Sequence, residues 1–194
     1  MDEKVKKTVE AALRTHKQML SRFESDALET IAAAAELITT TIKQKNRVFI
    51  CGNGGSAADA QHIAAELLGR FERERPALPA VALTTDTSTI TSIANDYGYH
   101  TVFARQVQAL VDAKDLLWAI STSGTSPNVV NAAELAKKKG ARVLAFTGRK
   151  NSKLEQIADI CLCAGENSAA RSQEIHQLAY HIICDLVEQN FADL

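Results

Sequence analysis

The chain has 194 residues, with 22 Lys plus Arg against 23 Asp plus Glu. That length suits one domain of roughly 100 to 200 residues, and a near-neutral balance without a block of one sign argues against nucleic acid or an anionic membrane as a partner. Few aromatics (5%) beside many Ala, Leu and Ile suit helices on a compact sheet better than an all-β barrel.

The first residues, "MDEKVKKTVEAALRTHK", are charged and amphipathic rather than signal-like, and no apolar run is long enough to span a membrane; a cytoplasmic protein is expected. Val5, Val9, Ala12, Leu13, His16 and Leu20 recur at helical spacing, and Leu28, Ile31, Ala35, Ile38 and Ile42 do so again. Two helices, over Lys4 to Leu20 and Asp26 to Thr41, should therefore precede the sheet as an extension covering residues 1–45. From Arg47 short apolar runs alternate with helical ones: "RVFIC", "SAADAQHIAAELLGRF", "PAVALT", "TVFARQVQALV", "DLLWAIS", "SPNVVNAAELAKKKG", "ARVLAFTG" and "ADICLCA". This order reads as a βαβαβ core over residues 46–194, and strands apolar at both alternating positions predict a parallel sheet covered on both faces. A last helix from about Ser168 to Phe191 should bury Ile175, Leu178, Ala179, Ile182, Ile183 and Leu186. The whole chain, 1–194, is expected to be one domain. Cys51, Cys161, Cys163 and Cys184 have no zinc-ribbon or CxxC spacing and read as reduced structural thiols.

Two loops carry the chemistry. "CGNGGSA" stands between a strand and a helix and meets the dinucleotide pattern G-x-G-x-x-G/A at Gly52, Gly54 and Ala57. However, no acidic residue closes a second strand about 20 residues on: Glu72 and Glu74 fall in the loop "RFERERPALP", and Asp86 comes too late. No nucleotide cofactor is expected. The second loop, "STSGTSPNVV", sets the hydroxyls of Ser121, Thr122, Ser123, Thr125 and Ser126 around Gly124, with Pro127 at a first helical position. Hydroxyls with free N–H groups at a helix N-terminus suit a phosphate monoester; the bland alternative is helix capping by Ser and Thr. Both loops should open at the carboxyl edge of the sheet, where a small phosphorylated molecule would lie between them.

On the helix after the first loop, His62 and Glu66 form an i, i+4 pair beside Gln61. In the last helix Gln173 and His181 are eight residues apart, within about 80° of one face and separated by about 12 Å of rise. A His, Glu, Gln, His set could hold zinc, with His176 and Gln177 as competing candidates. His16 and His100 read as surface or hydrogen-bonded histidines.

With "CGNGGSAADAQHIAAELLGRFERERPALPAVAL", "IANDYGYHTVF", "AISTSGTSPNVVNA", "VLAFTG" and "RSQEIHQLAYHIICDLVE" in this order, the chain resembles the phosphoheptose isomerases of the sugar-isomerase (SIS) fold, from about residue 3 to residue 190. The resemblance implies an α/β three-layer sandwich with a five-stranded parallel sheet of flavodoxin-like type and added N-terminal helices. It implies a homotetramer and the conversion of sedoheptulose 7-phosphate to D-glycero-D-manno-heptose 7-phosphate through an enediol, opening ADP-heptose synthesis for lipopolysaccharide. Carried over by position, Asn53, Gly54, Gly55 and Ser56 would line the sugar. Asn95 and Asp96 would bind its hydroxyls, Ser121, Thr122, Ser123 and Ser126 would grip the phosphate, and Gln173 would also touch substrate. Glu66 and His181 match the acid–base pair, with Glu66 also in contact with substrate. His62, Glu66, Gln173 and His181 match the zinc ligands of some members, one ion per subunit. The chain departs from some members at Ala170, where they have an acidic residue. A non-catalytic sister group that binds the replication initiator DnaA shares several of these motifs; this chain keeps Glu66 and Ser123, where that group has a non-acidic residue and an arginine.

Overall fold

A computed structural model describes residues 1–192; positions 193 and 194 of the expected domain lie outside the described residues. Helices α1 (Glu3–Asp26) and α2 (Leu28–Lys43) come first, then β1 (Val48–Gly52), α3 (Gly55–Leu68), β2 (Ala80–Ala82) and α4 (Thr87–Tyr97). A 3-10 turn (Tyr99–Thr101), α5 (Val102–Leu110), β3 (Leu116–Ser121), α6 (Pro127–Lys138), β4 (Arg142–Thr147), α7 (Lys153–Ile157), β5 (Ile160–Cys163) and α8 (Ala169–Gln189) complete the chain. The five strands are all parallel, in the order β2-β1-β3-β4-β5, which is the flavodoxin-like winding.

Burial follows from that winding. Strands β1 and β3 are buried throughout and β4 at all but its first residue, whereas the edge strands β2 and β5 are only partly covered. On one face Ile50, Trp118, Ile120, Leu144 and Phe146 pack with residues of α2, α3 and α8; on the other Phe49, Leu117, Ala119, Val143 and Ala145 pack with residues of α5 and α6. Because successive strand side chains point to opposite faces, a sheet wrapped on both sides must be apolar at every position. At the centre Trp118 and Phe146 meet edge to face at 5.0 Å, and truncating either to Ala should cost about 3 to 5 kcal/mol.

The expected order of elements holds, with three corrections. Helix α4 was not read from the sequence: "TSTITSIANDY" is rich in β-branched and hydroxyl residues that weaken helix propensity. Its start is fixed by Asp86, whose carboxylate accepts from the Thr89 amide at 2.9 Å and the Thr89 hydroxyl at 2.6 Å. The short helix α7 was also missed, although Ser152 and Glu155 form a capping box there. Finally, only part of each predicted apolar stripe is buried. Ile175, Ala179 and Ile183 of α8 are in the core, but Ile182 is 36% exposed, and in α1 and α2 Val5, Val9, Leu13, Leu20 and Leu28 stand open to solvent. The periodicity correctly marked helices; it did not separate a face turned to the sheet from one turned away from it.

The four thiols are free, with Cys51 and Cys184 buried and Cys161 and Cys163 only partly so. Burial pushes Cys51, Cys161 and Cys184 up to about 12, so none of these three is poised as a thiolate nucleophile. Among the described residues no helix is long and apolar enough to cross a membrane.

Candidate active site

The register of β1 against β3 pairs Gly52 with Ile120, so both loops leave the sheet at its carboxyl edge, side by side. The first is made almost wholly of backbone. Gly54 has φ +56° and is the N-cap of α3 without any side-chain cap, a conformation that glycine supplies without a Cβ penalty. A Cβ on Gly52 would lie 2.6 Å from the Ser56 carbonyl oxygen, so the tight turn from strand to helix excludes larger residues.

The second loop is made of hydroxyls. The Ser121 hydroxyl donates to Ser126 Oγ at 3.0 Å and lies 3.3 Å from Ser123 Oγ. Ser126 is the N-cap of α6, with Pro127 following it at the helix start, yet its side chain makes no capping bond. The capping explanation thus fails for Ser126: its hydroxyl is directed into the loop, and the helix's first N–H groups are not taken up by it. Gly124 turns the loop at φ +64°, Thr122 accepts the Gly148 amide at 2.9 Å through its carbonyl, and the loop is thereby tied to the end of β4.

The two loops are joined through Asn53, already singled out in the sequence, by Asn128 and Tyr99, which sequence reasoning missed. Asn53 and Asn128 exchange two amide bonds of 2.8 Å each, and Asn128, at 2% exposure, is in the core. The Tyr99 hydroxyl donates to Asn53 Oδ1 at 3.0 Å, which fastens the turn after α4 to the first loop. Asn95 and Asp96 lie exposed near the end of α4, bonded to each other at 2.8 Å. An asparagine directly after "SP" was the available signal for Asn128.

About two to three turns along α3 from the first loop, His62 and Glu66 meet His181 of α8, with one ligand atom of each within 4.8 Å of the others. His62 Nε2 lies 2.9 Å from Glu66 Oε1, and the rings of His62 and His181 meet edge to face at 5.1 Å. Burial, then the neighbouring His62, lowers the His181 imidazole below its ordinary value while Glu66 opposes this, which keeps it neutral and able to accept a proton near pH 7. One turn earlier on α3, burial raises the Asp59 carboxyl to about 6 against the pull of His62. Two imidazoles and a carboxylate are also donors that zinc takes. Gln173 joins the seam between α3 and α8 at its other end, where its amide lies so close over Gly55 that a Cβ there would come within 2.5 Å.

The loop "RFERERP" holds this cluster in place. The buried Arg75 guanidinium donates to the carbonyls of Glu66 (2.6 Å), Leu67 (2.8 Å) and Gly69 (3.0 Å), closing the end of α3. Glu188 of α8 accepts the amides of Phe71, Glu72 and Arg73 at 2.7 to 2.9 Å and pairs with Arg75 at 3.4 Å. Phe71, positioned by that nest, lies 5.5 Å from His181 between ring centroids.

The competing histidines separate clearly. His176 is fully buried with Nε2 on the Thr147 carbonyl at 3.0 Å, and His16 bonds Glu174 at 2.8 Å. His100 is exposed and Gln177 faces solvent. Ala170 is exposed in the first turn of α8.

Comparison with known proteins agrees with this arrangement. The model of the SIS domain matches residues 13–148. The phosphoheptose isomerase of Helicobacter pylori strain P12 is 46% identical over 177 residues, covering 91% of this chain and 92% of that protein. That of Thiobacillus denitrificans is 50% identical over 186 residues, covering 89% and 94%. The structure of the phosphoheptose isomerase from Neisseria gonorrhoeae superposes with a TM-score of 0.89 at 40% identity, over 95% of this chain and 99% of that one. Likeness at this level across nearly the whole length of these relatives means that the chain belongs to the phosphoheptose isomerase family of SIS-domain proteins.

Proposed function

We propose that the chain isomerises sedoheptulose 7-phosphate to D-glycero-D-manno-heptose 7-phosphate, the first step toward ADP-heptose and the lipopolysaccharide core. The observation that carries this reading is the meeting of Glu66 with His181, about three turns along α3 from the first of two loops that open at one edge of the sheet. Moving a carbonyl from C2 to C1 requires removal of a proton from one carbon and return of a proton to its neighbour through an enediol, with the oxygen protons relayed. One carboxylate and one neutral imidazole are enough for this, each contributing about 10²- to 10⁴-fold.

In this reading the hydroxyls of Ser121, Thr122, Ser123 and Ser126 bind the phosphate together with the first amides of α6. Asn53, Gly54, Gly55, Ser56 and Gln173 line the sugar, the glycines allowing close approach of backbone, and Asn95 and Asp96 bind its hydroxyls. The Tyr99 bond to Asn53 supports that last assignment, because it ties the end of α4 to the sugar loop. His62, Glu66 and His181 would hold zinc, one ion per subunit, while Gln173, the fourth residue of the predicted set, lies farther along the seam over Gly55. When bound, the ion would polarise the sugar carbonyl as a Lewis acid. A carboxylate serving as ligand is a weaker base, so the proton-transfer role of Glu66 is strongest when it is free of metal.

The exposed Val5, Val9, Leu13, Leu20, Leu28 and Ile182 supply apolar surface for a homotetramer, and the balanced charge suits a cytoplasmic enzyme. The test is turnover of sedoheptulose 7-phosphate by the purified protein, with and without chelator. We expect turnover, and an activity that chelator abolishes would make the ion part of the reaction. A folded, metal-replete protein without turnover would overturn the proposal, and binding of DnaA by such a protein would favour the non-catalytic reading.

A further inference from the structure

Beside the acid–base pair stands a group that the proposed chemistry does not use. Tyr180 immediately precedes His181 on α8 and is 1% exposed, yet its hydroxyl lies 2.9 Å from His62 Nδ1. On the opposite side of the same ring, Nε2 lies 2.9 Å from Glu66 Oε1. These two contacts determine where the ring proton sits. An ionised carboxylate only accepts, so Nε2 carries the proton and donates to Glu66; Nδ1 is left with its lone pair and takes the hydroxyl proton of Tyr180. The Tyr180 ring also meets both histidines edge to face, His62 at 5.4 Å and His181 at 4.7 Å between centroids. Phenylalanine would supply that packing equally well. The hydroxyl therefore has a purpose of its own, since a buried tyrosine oxygen is kept where it has a partner to bond.

We propose that Tyr180 is the positioning residue of this site, its hydroxyl holding His62 in the one orientation and tautomer that turn Nε2 toward Glu66 and His181. A hydroxyl can accept as well as donate. When Nε2 gives its lone pair to a cation, the ring proton moves to Nδ1 without change in net charge, and the Tyr180 oxygen then accepts it. The same residue thus fits the metal-free and the metal-bound histidine, and partners of this kind typically contribute about 10- to 100-fold in metal affinity. The second half of this inference rests on the reading of His62 as a metal ligand; the first does not.

The test is Tyr180→Phe in the full-length protein, which removes one oxygen and keeps the ring. In metal-free wild type, long-range nitrogen–proton NMR correlations of the His62 ring should show the Nε2–H tautomer alone, and in Tyr180→Phe a mixture of the two. Zinc affinity, measured by competition with a chromogenic chelator, should fall about 10- to 100-fold, with little change in melting temperature. A variant with unchanged tautomer and unchanged zinc affinity would overturn the proposal, as would one that loses only thermal stability. If wild type takes up no zinc while Tyr180→Phe still mixes the tautomers, the metal reading fails and the positioning role stands. Should the variant not fold, the wild-type spectrum decides alone: a metal-free His62 protonated on Nδ1 contradicts the assignment.

Discussion

His176 and His181 lie five residues apart on one helix and serve opposite ends. His176 points into the sheet, where it is fully buried, touches Phe146 and bonds the carbonyl at the end of β4. Its other ring nitrogen, Nδ1, is buried without a partner, and burial holds its pKa down at about 4. His181 points along the seam with α3 toward His62 and Glu66, and is only partly covered. The same side chain is thus a neutral hydrogen-bond donor in one place and, in the proposed reaction, a proton acceptor in the other. What separates the two is about 140° of helix rotation, which turns one ring to the sheet and the other to a carboxylate.

The largest difference between them should appear in turnover. His181→Ala should lose at least about 100-fold in kcat with little change in melting temperature, because it removes a half-open side chain. His176→Gln, which can still donate to the Thr147 carbonyl, should keep most of its activity. Equal losses of kcat in the two variants would erase the distinction.

A smaller effect should appear in stability against pH. The folded-state pKa of His176 lies below its ordinary 6.5, so between those values the unfolded chain binds a proton that the folded chain does not. Its contribution is fully present above about pH 6.5 and is lost as pH falls toward 4, a loss of about 3 kcal/mol. Unfolding in urea at pH 7 and pH 4.5 should show this decline in wild type, and the decline should be shallower in His176→Gln. A parallel decline in both proteins would remove His176 as its source.

The order of elements was legible because apolar period and glycine punctuation change together at Arg47 and again at Ser121. Both loops were legible for the same reason, since Gly52, Gly54 and Gly124 occupy backbone conformations or close approaches that permit little else. Helix α4 was hidden because it depends on Asp86 as a cap and on packing rather than on propensity. The partial burial of α1, α2 and α8 was hidden because a helical period reports that one face is apolar and not what covers it. Within the site, the i, i+4 pair His62 and Glu66 could be read directly. The bond between Asn53 and Asn128 and that between Tyr180 and His62 could not, since each joins residues 75 and 118 positions apart. Likewise "RFERERP" reads as a charged surface loop until Glu188 is seen to gather three of its amides and Arg75 to close the end of α3.

The central claim is that Glu66 and His181 move the protons of an enediol, and it is tested most directly by following hydrogen exchange in deuterated water. With sedoheptulose 7-phosphate as substrate, wild type should place deuterium on the carbon that gains hydrogen, and Glu66→Gln should do so at least about 100-fold more slowly. Deuterium entering at an undiminished rate in Glu66→Gln would contradict the account.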